Sequence, residues 1–291
     1  MKKSISYVCV IAAALLWGCM GILVRTMNEG GLTSAEVVTF RCVVTAVIML
    51  FGMFLFKRKE LKIKWRDCWC FLGTGVFSVV FFNICYFSCM KYCSLSTAAI
   101  LLYTAPAFVM VMSYFLFKEK FSGRKVLALL TAFAGCVLVS GGFGAESIGT
   151  MGLLTGLGAG FGYALYTIFG RYALERGYSS FTITTYTFLF ATFGCLAITD
   201  VSHLTECLVA SPELIGQGVL WTFLTTVAAY LLYTKGLSGM ESGKASILAT
   251  IEPVMATLVG FVVFKEPLTL VALGGVLLVL FSSILMVRKE K

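Results

Sequence analysis

Two charged side chains fall inside long apolar runs, where an unpaired charge is costly. Glu252 lies in the run 244–264, directly before Pro253. An ionisable group in such a run usually faces a cavity or a partner rather than lipid. Desolvation favours the neutral form of a carboxyl group, so such a residue can take up and release a proton. Pro253 removes a backbone donor and loosens its helix, which frees carbonyls for other partners. A carboxylate beside a broken helix is what a proton-coupled binding site needs. The plainer role for Glu252 is to brace the kink or pair with a cation. Arg41 lies about two turns into the run 36–56. Its guanidinium could hold a carboxylate through two parallel hydrogen bonds. Equally, it could snorkel to an interface, or pair with Glu36 or a helix end.

Polar groups on otherwise apolar helices come next. Asn83 sits mid-run with Tyr86 one turn later, and a buried amide needs a partner from a neighbouring helix or a ligand. Trp17, Tyr103, Tyr163, Tyr166, Tyr230 and Tyr233 add an indole N–H and hydroxyls. Such groups suit the wall of a cavity for an amphipathic or aromatic solute; the same rings also serve as interfacial and packing residues. Pro106 is a second expected kink. Gly152, Gly156 and Gly160 recur every fourth residue, with Gly158 and Gly162 on a second stripe. Small faces of this kind let helices approach closely. They are not a phosphate loop, because no Gly-Lys-Ser/Thr follows them.

The elements that position these residues follow from composition. Of 291 residues, 59% are hydrophobic and only 13% charged, with a mean hydropathy of +0.94. That charged share is about half of what a soluble domain carries, so lipid must solvate the chain. A membrane span needs about 20 mostly apolar residues. Such runs lie near 5–24, 36–56, 68–90, 95–117, 124–142, 148–170, 180–199, 213–234, 244–264 and 268–287. Lys2 and Lys3 before the first run resemble a secretory leader. The run is long enough to span, and Trp17 is bulky for a cleavage site, so the segment is expected to remain as the first helix. The 11 cysteines, an odd number scattered through apolar runs, do not form a disulfide framework. They read as small hydrophobes of a membrane facing a reducing cytoplasm. Cys68-Trp69-Cys70 and Cys89-x-x-x-Cys93 lack the spacing and histidines of a zinc site; the lone His203 is expected in a polar loop, and neither metal nor cofactor is predicted.

Charge fixes the expected orientation. With ten spans, nineteen of the 23 lysines and arginines fall on one side and only Arg25, Lys91 and Lys265 on the other, while Arg41 lies within a span. The cytoplasmic side carries the basic excess, so both termini are expected there. The net charge of +9 is thereby used in orientation, and no basic, aromatic-interleaved surface is left for nucleic acid.

The chain also repeats itself. Pro106 precedes Phe117-Lys118-Glu119 by the same interval as Pro253 precedes Phe264-Lys265-Glu266, and the two sets lie 147 residues apart. Trp17 and Arg25 match Tyr163 and Arg171 at an offset of 146, which also places Gly31 on Gly177. Two units, 1–145 and 146–291, are expected. Each has an odd number of spans, so the second enters the membrane upside down. The predicted fold class is an all-α integral membrane protein of ten transmembrane helices arranged as two inverted five-helix repeats. Inverted repeats are a recurring transporter architecture, because the two halves can exchange conformations.

These residues resemble the drug/metabolite transporter superfamily, in particular its ten-helix EamA-like members. The resemblance rests on Trp17-Gly18, Phe40-Arg41, Ser96-Thr97-Ala98-Ala99 through Pro106, and Phe117-Lys118-Glu119. In the second half it rests on Ala164-Leu165-Tyr166-Thr167, Ala245-Ser246 through Glu252-Pro253, and Lys265-Glu266-Pro267-Leu268-Thr269. The first half departs by carrying Ala105 where the second carries Glu252. The resemblance implies a proton- or gradient-linked exporter or exchanger of amino acids or similar metabolites. Its cavity would be built by spans one to four and six to nine, with spans five and ten as buttresses. The expected partners are a small-molecule solute, membrane lipid and protons, and the expected location is the cytoplasmic membrane of a bacterium. The competing classes are an intramembrane enzyme, a lipid scramblase and a sensor. No His-Glu-x-x-His, Gly-x-Ser-x-Gly or nucleotide-binding domain is present in the sequence, so neither an enzyme nor an ATP-driven pump is expected.

Overall fold

The computed structural model describes residues 3–142 and 148–288. Lys2, the expected division near Ala145, and Lys289 and Lys291 lie outside them. The described residues form helices and connecting turns: α1 (Ser4–Glu29), α2 (Ser34–Phe56), α3 (Trp65–Cys89), α4 (Leu95–Phe117), α5 (Gly123–Val139), α6 (Thr150–Glu175), α7 (Ser180–Leu196), α8 (Val201–Ala210), α9 (Pro212–Leu237), α10 (Ser242–Val262) and α11 (Leu270–Val287). Eight of these are long and apolar enough to cross a membrane, or nine if the bent pair α7–α8 is one span. Ten were expected. The two that fall outside this count are α5 and α7, each 17 residues and so about 25 Å long, one residue fewer than α11, the shortest of the eight. A second difference concerns His203. The polar stretch expected as a loop instead forms α8, turned 104° from α7, because Asp200 caps its start by accepting the N–H groups of Ser202 and His203.

Sequence chemistry sets the breaks in the long helices. α4 is interrupted at Tyr103–Thr104 and α10 at Thr250–Ile251. In each case the proline follows at the second residue of the resumed helix, Pro106 after Ala105 and Pro253 after Glu252. There its missing N–H costs nothing. α1 is interrupted at Cys19. α3 and α9 each contain a π-helical stretch, Gly73–Val80 and Phe223–Ala228.

Each helix among α1–α5 packs most extensively against the other half of the chain: α1 on α9, α2 on α7, α3 and α4 on α6, and α5 on α11. Glycines permit the closest approaches. A Cβ at Gly18 would stand 2.6 Å from the Glu252 carbonyl oxygen, so α1 meets the break of α10 backbone to backbone. Gly156 and Gly160 face Leu101 and Thr104 of α4, while Gly158 and Gly162 face Cys85 and Phe81 of α3. Both glycine stripes of α6 are therefore packing surfaces. Large apolar side chains such as Phe51, Phe115, Leu154, Phe193 and Leu277 point outward, a surface that acyl chains would cover.

Polar contacts sort the loops onto two faces. On one, Glu60 accepts from Ser179, Asp67 from Arg176 and Tyr178, and Lys125 and Lys244 both pair with Glu241 at 3.0 Å. Burial opposes the charge of Glu241, but the two lysines outweigh it and hold its carboxyl below the ordinary value. We call this the basic face. On the other, Arg25 pairs with Glu266, and Glu36 with His203.

Candidate functional site

The breaks of α1, α4 and α10 and the last turns of α3 surround a cavity of about 510 Å³. Its lining includes eight of the residues singled out from the sequence: Trp17, Arg41, Asn83, Tyr86, Tyr103, Tyr163, Tyr230 and Glu252. Toward the face opposite the basic one the wall continues through Arg25, Asn28, Ser34 and Leu95. Tyr166 does not join this wall. It is buried one turn from Tyr163, where its hydroxyl lies 2.6 Å from the Thr234 hydroxyl, beside a recess of about 20 Å³. Pro253 lines a neighbouring cleft of about 330 Å³, and Pro106 is packed inside α4.

Glu252 opens the resumed helix of α10, so its carboxylate stands at a helix N-terminus, where negative charge is favoured. Tyr163 donates to its Oε2 at 3.0 Å. No cation pairs with Glu252 among the described contacts.

Arg41 is 8% exposed, so it does not snorkel. Glu36 is not its partner either: that carboxylate caps α2 by accepting the Thr33 N–H and takes His203 Nδ1 at 2.8 Å. Arg41 Nη1 donates to the Met20 sulfur at 2.9 Å, and Nε is buried with no partner in the structure. A thioether is a poor acceptor for a guanidinium. The group is thus held against the cavity with most of its donor capacity for anions unused.

Asn83 satisfies its amide donor inside its own helix, on the Val79 carbonyl at 2.7 Å; the acceptor becomes available where the π-helical stretch ends. The rings form one connected aromatic set. Trp17 meets Tyr230 at 5.2 Å and Tyr163 at 6.3 Å, both edge-on, and Tyr230 meets Tyr166 and Phe188 at 4.9 Å. Such contacts fix ring orientation. The wall also contains Met20, Val38, Phe82, Phe87 and Met90, which the sequence does not separate from ordinary apolar helix residues. The signal that could have found them is helical spacing, since Phe82 and Phe87 flank Asn83 and Tyr86. Taken together, the site offers one carboxylate, Arg41 with donors to spare, a second arginine, Arg25, already paired with Glu266, and aromatic walls: groups that can bind an amphipathic molecule with ionised ends. Among the described residues no cluster of His, Cys, Asp and Glu could hold a metal ion.

The EamA-like transporter family profile matches residues 4–141 and again 150–288. An uncharacterized transporter of Archaeoglobus fulgidus is 28% identical over 84% of this chain and 84% of its own. The uncharacterized transporter YetK of Bacillus subtilis is 25% identical over 100% of this chain and 89% of its own. One solved crystal structure superposes with a TM-score of 0.78 over 98% of this chain and 96% of that one, at 16% identity, which is a likeness of fold. The apolar helices and these matches make the protein a multi-pass membrane protein with a transporter role. The chain belongs to the EamA-like transporter family.

Proposed function

We propose that this protein is a secondary transporter that moves a small amphipathic metabolite, of the size and polarity of an amino acid, out of the cell across the cytoplasmic membrane. The observation that carries the proposal is that Arg41, buried and with its Nε unpartnered, shares the wall of one aromatic cavity with Glu252. Arg41 would receive an anionic group of the solute. Glu252 would receive its cationic end or a coupling proton, and the rings would cover its apolar part. With no charged partner built in, the cavity leaves the ligand to complete the electrostatics. The class of activity is transport, not catalysis.

The mechanism would be alternating access between two inverted halves, 1–145 and 146–291, with both termini cytoplasmic. Matching local geometry supports the repeat. Lys118 and Lys265 are the two non-glycine residues with positive φ among the described residues, at 56° and 58°. Thr33 and Ser179 cap α2 and α7, and Ser122 and Thr269 cap α5 and α11, at offsets of 146 and 147. Gly31 and Gly177 both turn the chain at φ near 90°, at 94° and 85°. The basic face would be cytoplasmic, so the state described here has its cavity directed to the outside.

The test is flux in liposomes. Amino acids, nucleosides and organic cations would be screened with and without a pH gradient, in wild type and Glu252→Gln. Gradient-dependent flux that the substitution uncouples is the expected result. Flux indifferent to Glu252→Gln would reduce that residue to a brace of the helix break. Folded protein that moves no solute, but scrambles lipid or cleaves a bond, would replace the transporter reading.

A further inference from the structure

On the basic face, the Glu119 carboxylate accepts the backbone N–H of Ser242 at 2.6 Å and that of Gly243 at 3.1 Å. These residues open α10, and the first N–H groups of a helix have no partner within it. A carboxylate there also meets the positive end of the helix dipole. Glu241, at the cap position itself, makes no side-chain cap bond. The contact therefore joins the end of α4, in the first half, to the start of α10, in the second. Nearby, Arg171 donates to the carbonyls of Leu237 and Met240 at 3.2 and 3.0 Å and ties α6 to the end of α9.

The residue 147 positions after Glu119 is Glu266, on the opposite face. The two stand in the same backbone setting. Each follows a left-handed lysine. The Glu119 N–H donates to the Ser113 carbonyl at 3.2 Å, and the Glu266 N–H to the Gly260 carbonyl at 3.0 Å, the same interval back. Their side chains differ. Glu266 turns to Arg25, with Oε1 2.5 Å from Nη2 and both groups about half exposed. The residues that match Ser242 and Gly243 are Leu95 and Ser96, which open α4. They line the 330 Å³ cleft together with Glu266 instead of being bound by it. At that helix start, the Ser94 hydroxyl already accepts from the Thr97 N–H, so the N–H groups of Leu95 and Ser96 are the first-turn donors left for another acceptor.

We propose that Glu119 and Glu266 are alternating latches of one gate cycle. In the state described here Glu119 holds the start of α10 and the basic face is shut, while the Glu266 cleft is open. In the opposite state Glu266 leaves Arg25 and caps Leu95 and Ser96, and Glu119 releases Ser242 and Gly243. The exchange swaps a pair of charge-assisted hydrogen bonds on one face for the same pair on the other and gives up the Arg25–Glu266 pair, which is half exposed and so contributes little; the two states therefore stay close in energy, as a cycling carrier requires. This inference rests on the inverted-repeat, alternating-access reading above.

The test uses spin-label distances in the full chain, in a background with the native cysteines replaced that keeps the wild-type helical content and melting temperature. One pair of labels, Phe121→Cys with Ser238→Cys, reads the basic face; a second, Tyr92→Cys with Val263→Cys, reads the opposite face. Glu119→Ala is expected to lengthen the first distance and shorten the second, shifting the populations on the order of tenfold for loss of bonds to a charged group. Glu266→Ala is expected to do the reverse and enrich the state described here. If either alanine variant misfolds, the glutamine variant gives the same sign at smaller size. A wild type that exchanges between two distances, with variants that shift together or not at all, overturns the latches and leaves alternating access standing. A wild type fixed at one distance in both pairs, with and without solute or pH gradient, overturns both.

Discussion

The hydroxyl of Tyr163 points at the carboxylate of Glu252 across 3.0 Å, joining α6 to the break of α10 at the cavity wall. Tyr163 occupies the place in the second half that Trp17 holds in the first, and the two rings touch edge-on. One tyrosine thus links the carboxylate to the aromatic set that shapes the cavity. A hydrogen bond of this kind contributes a net ~1 kcal/mol. Tyr163→Phe should therefore lower the melting temperature. Glu252→Gln should lower it less in the Tyr163→Phe background than in wild type, with a coupling of roughly 1 kcal/mol. Thermal melts of the four proteins in one detergent measure this, and strictly additive losses would show that the two side chains do not act as a unit.

Arg41 should behave in the opposite way to a structural arginine. Its Nε has no partner and its Nη1 meets only sulfur, so the fold bears the desolvation of the cation without a compensating ion pair. Arg41→Met, close in length, is expected to leave the melting temperature unchanged or raise it. Affinity for carboxylate-bearing solutes should fall on the order of 10- to 100-fold, while solutes lacking an anionic group should bind as before. Equilibrium binding to purified protein separates the two groups. A drop in stability with equal losses for both would make Arg41 a packing residue.

His203 offers a titration that a single signal can report, because it is the only histidine in the chain. The hydrogen bond it donates to Glu36, and then the charge of that carboxylate, push the imidazole above its usual pKa, which is about 6.5. The contact it gives α8 is therefore complete below that ordinary value and is lost as pH rises through the raised one. Nuclear magnetic resonance of the histidine ring should show a midpoint above about 6.5 that drops toward it in Glu36→Gln. A midpoint unmoved by that substitution would mean the ion pair does not form in solution.

Much of this molecule is legible in the sequence where chemistry and expected burial disagree. Glu252 and Arg41 stand out because charge in an apolar run demands a reason, and both line the cavity. Partners are harder to read. Glu36 looks like a mate for Arg41 at five residues' distance, but it turns to His203, 167 positions along the chain, and only packing brings those two together. Tyr163 and Tyr166 are one turn apart and chemically alike, yet one reaches the carboxylate and the other a buried threonine. Helical phase decides that, and a uniformly apolar helix carries no moment strong enough to fix its phase. Met20 and Phe82 could not be found by type, since their share of the wall comes from shape. The same holds for α5 and α7, whose apolar runs read as full spans, while cap and turn geometry ends each helix at 17 residues.

The contact of α5 with α11 gives the sharpest test of the packing. A Cβ on Gly135 would stand 2.8 Å from the Gly275 carbonyl oxygen, and one on Gly275 2.7 Å from the Gly135 carbonyl oxygen. Each would also press on the partner's valine, Val279 in the first case and Val139 in the second. These obstacles are largely backbone, which cannot rotate away, so the helices must separate. Gly135→Ala and Gly275→Ala should each cost about 1–3 kcal/mol. Once one methyl has forced the helices apart, the second finds room, so the double variant should lose clearly less than the sum of the two. The cavity lies on other helices, so solute affinity per folded molecule should stay at the wild-type value while the melting temperature falls. Full additivity would mean that each methyl is absorbed separately by local adjustment. A parallel loss of affinity would mean that α5 and α11 transmit strain to the cavity, and would overturn their role as buttresses.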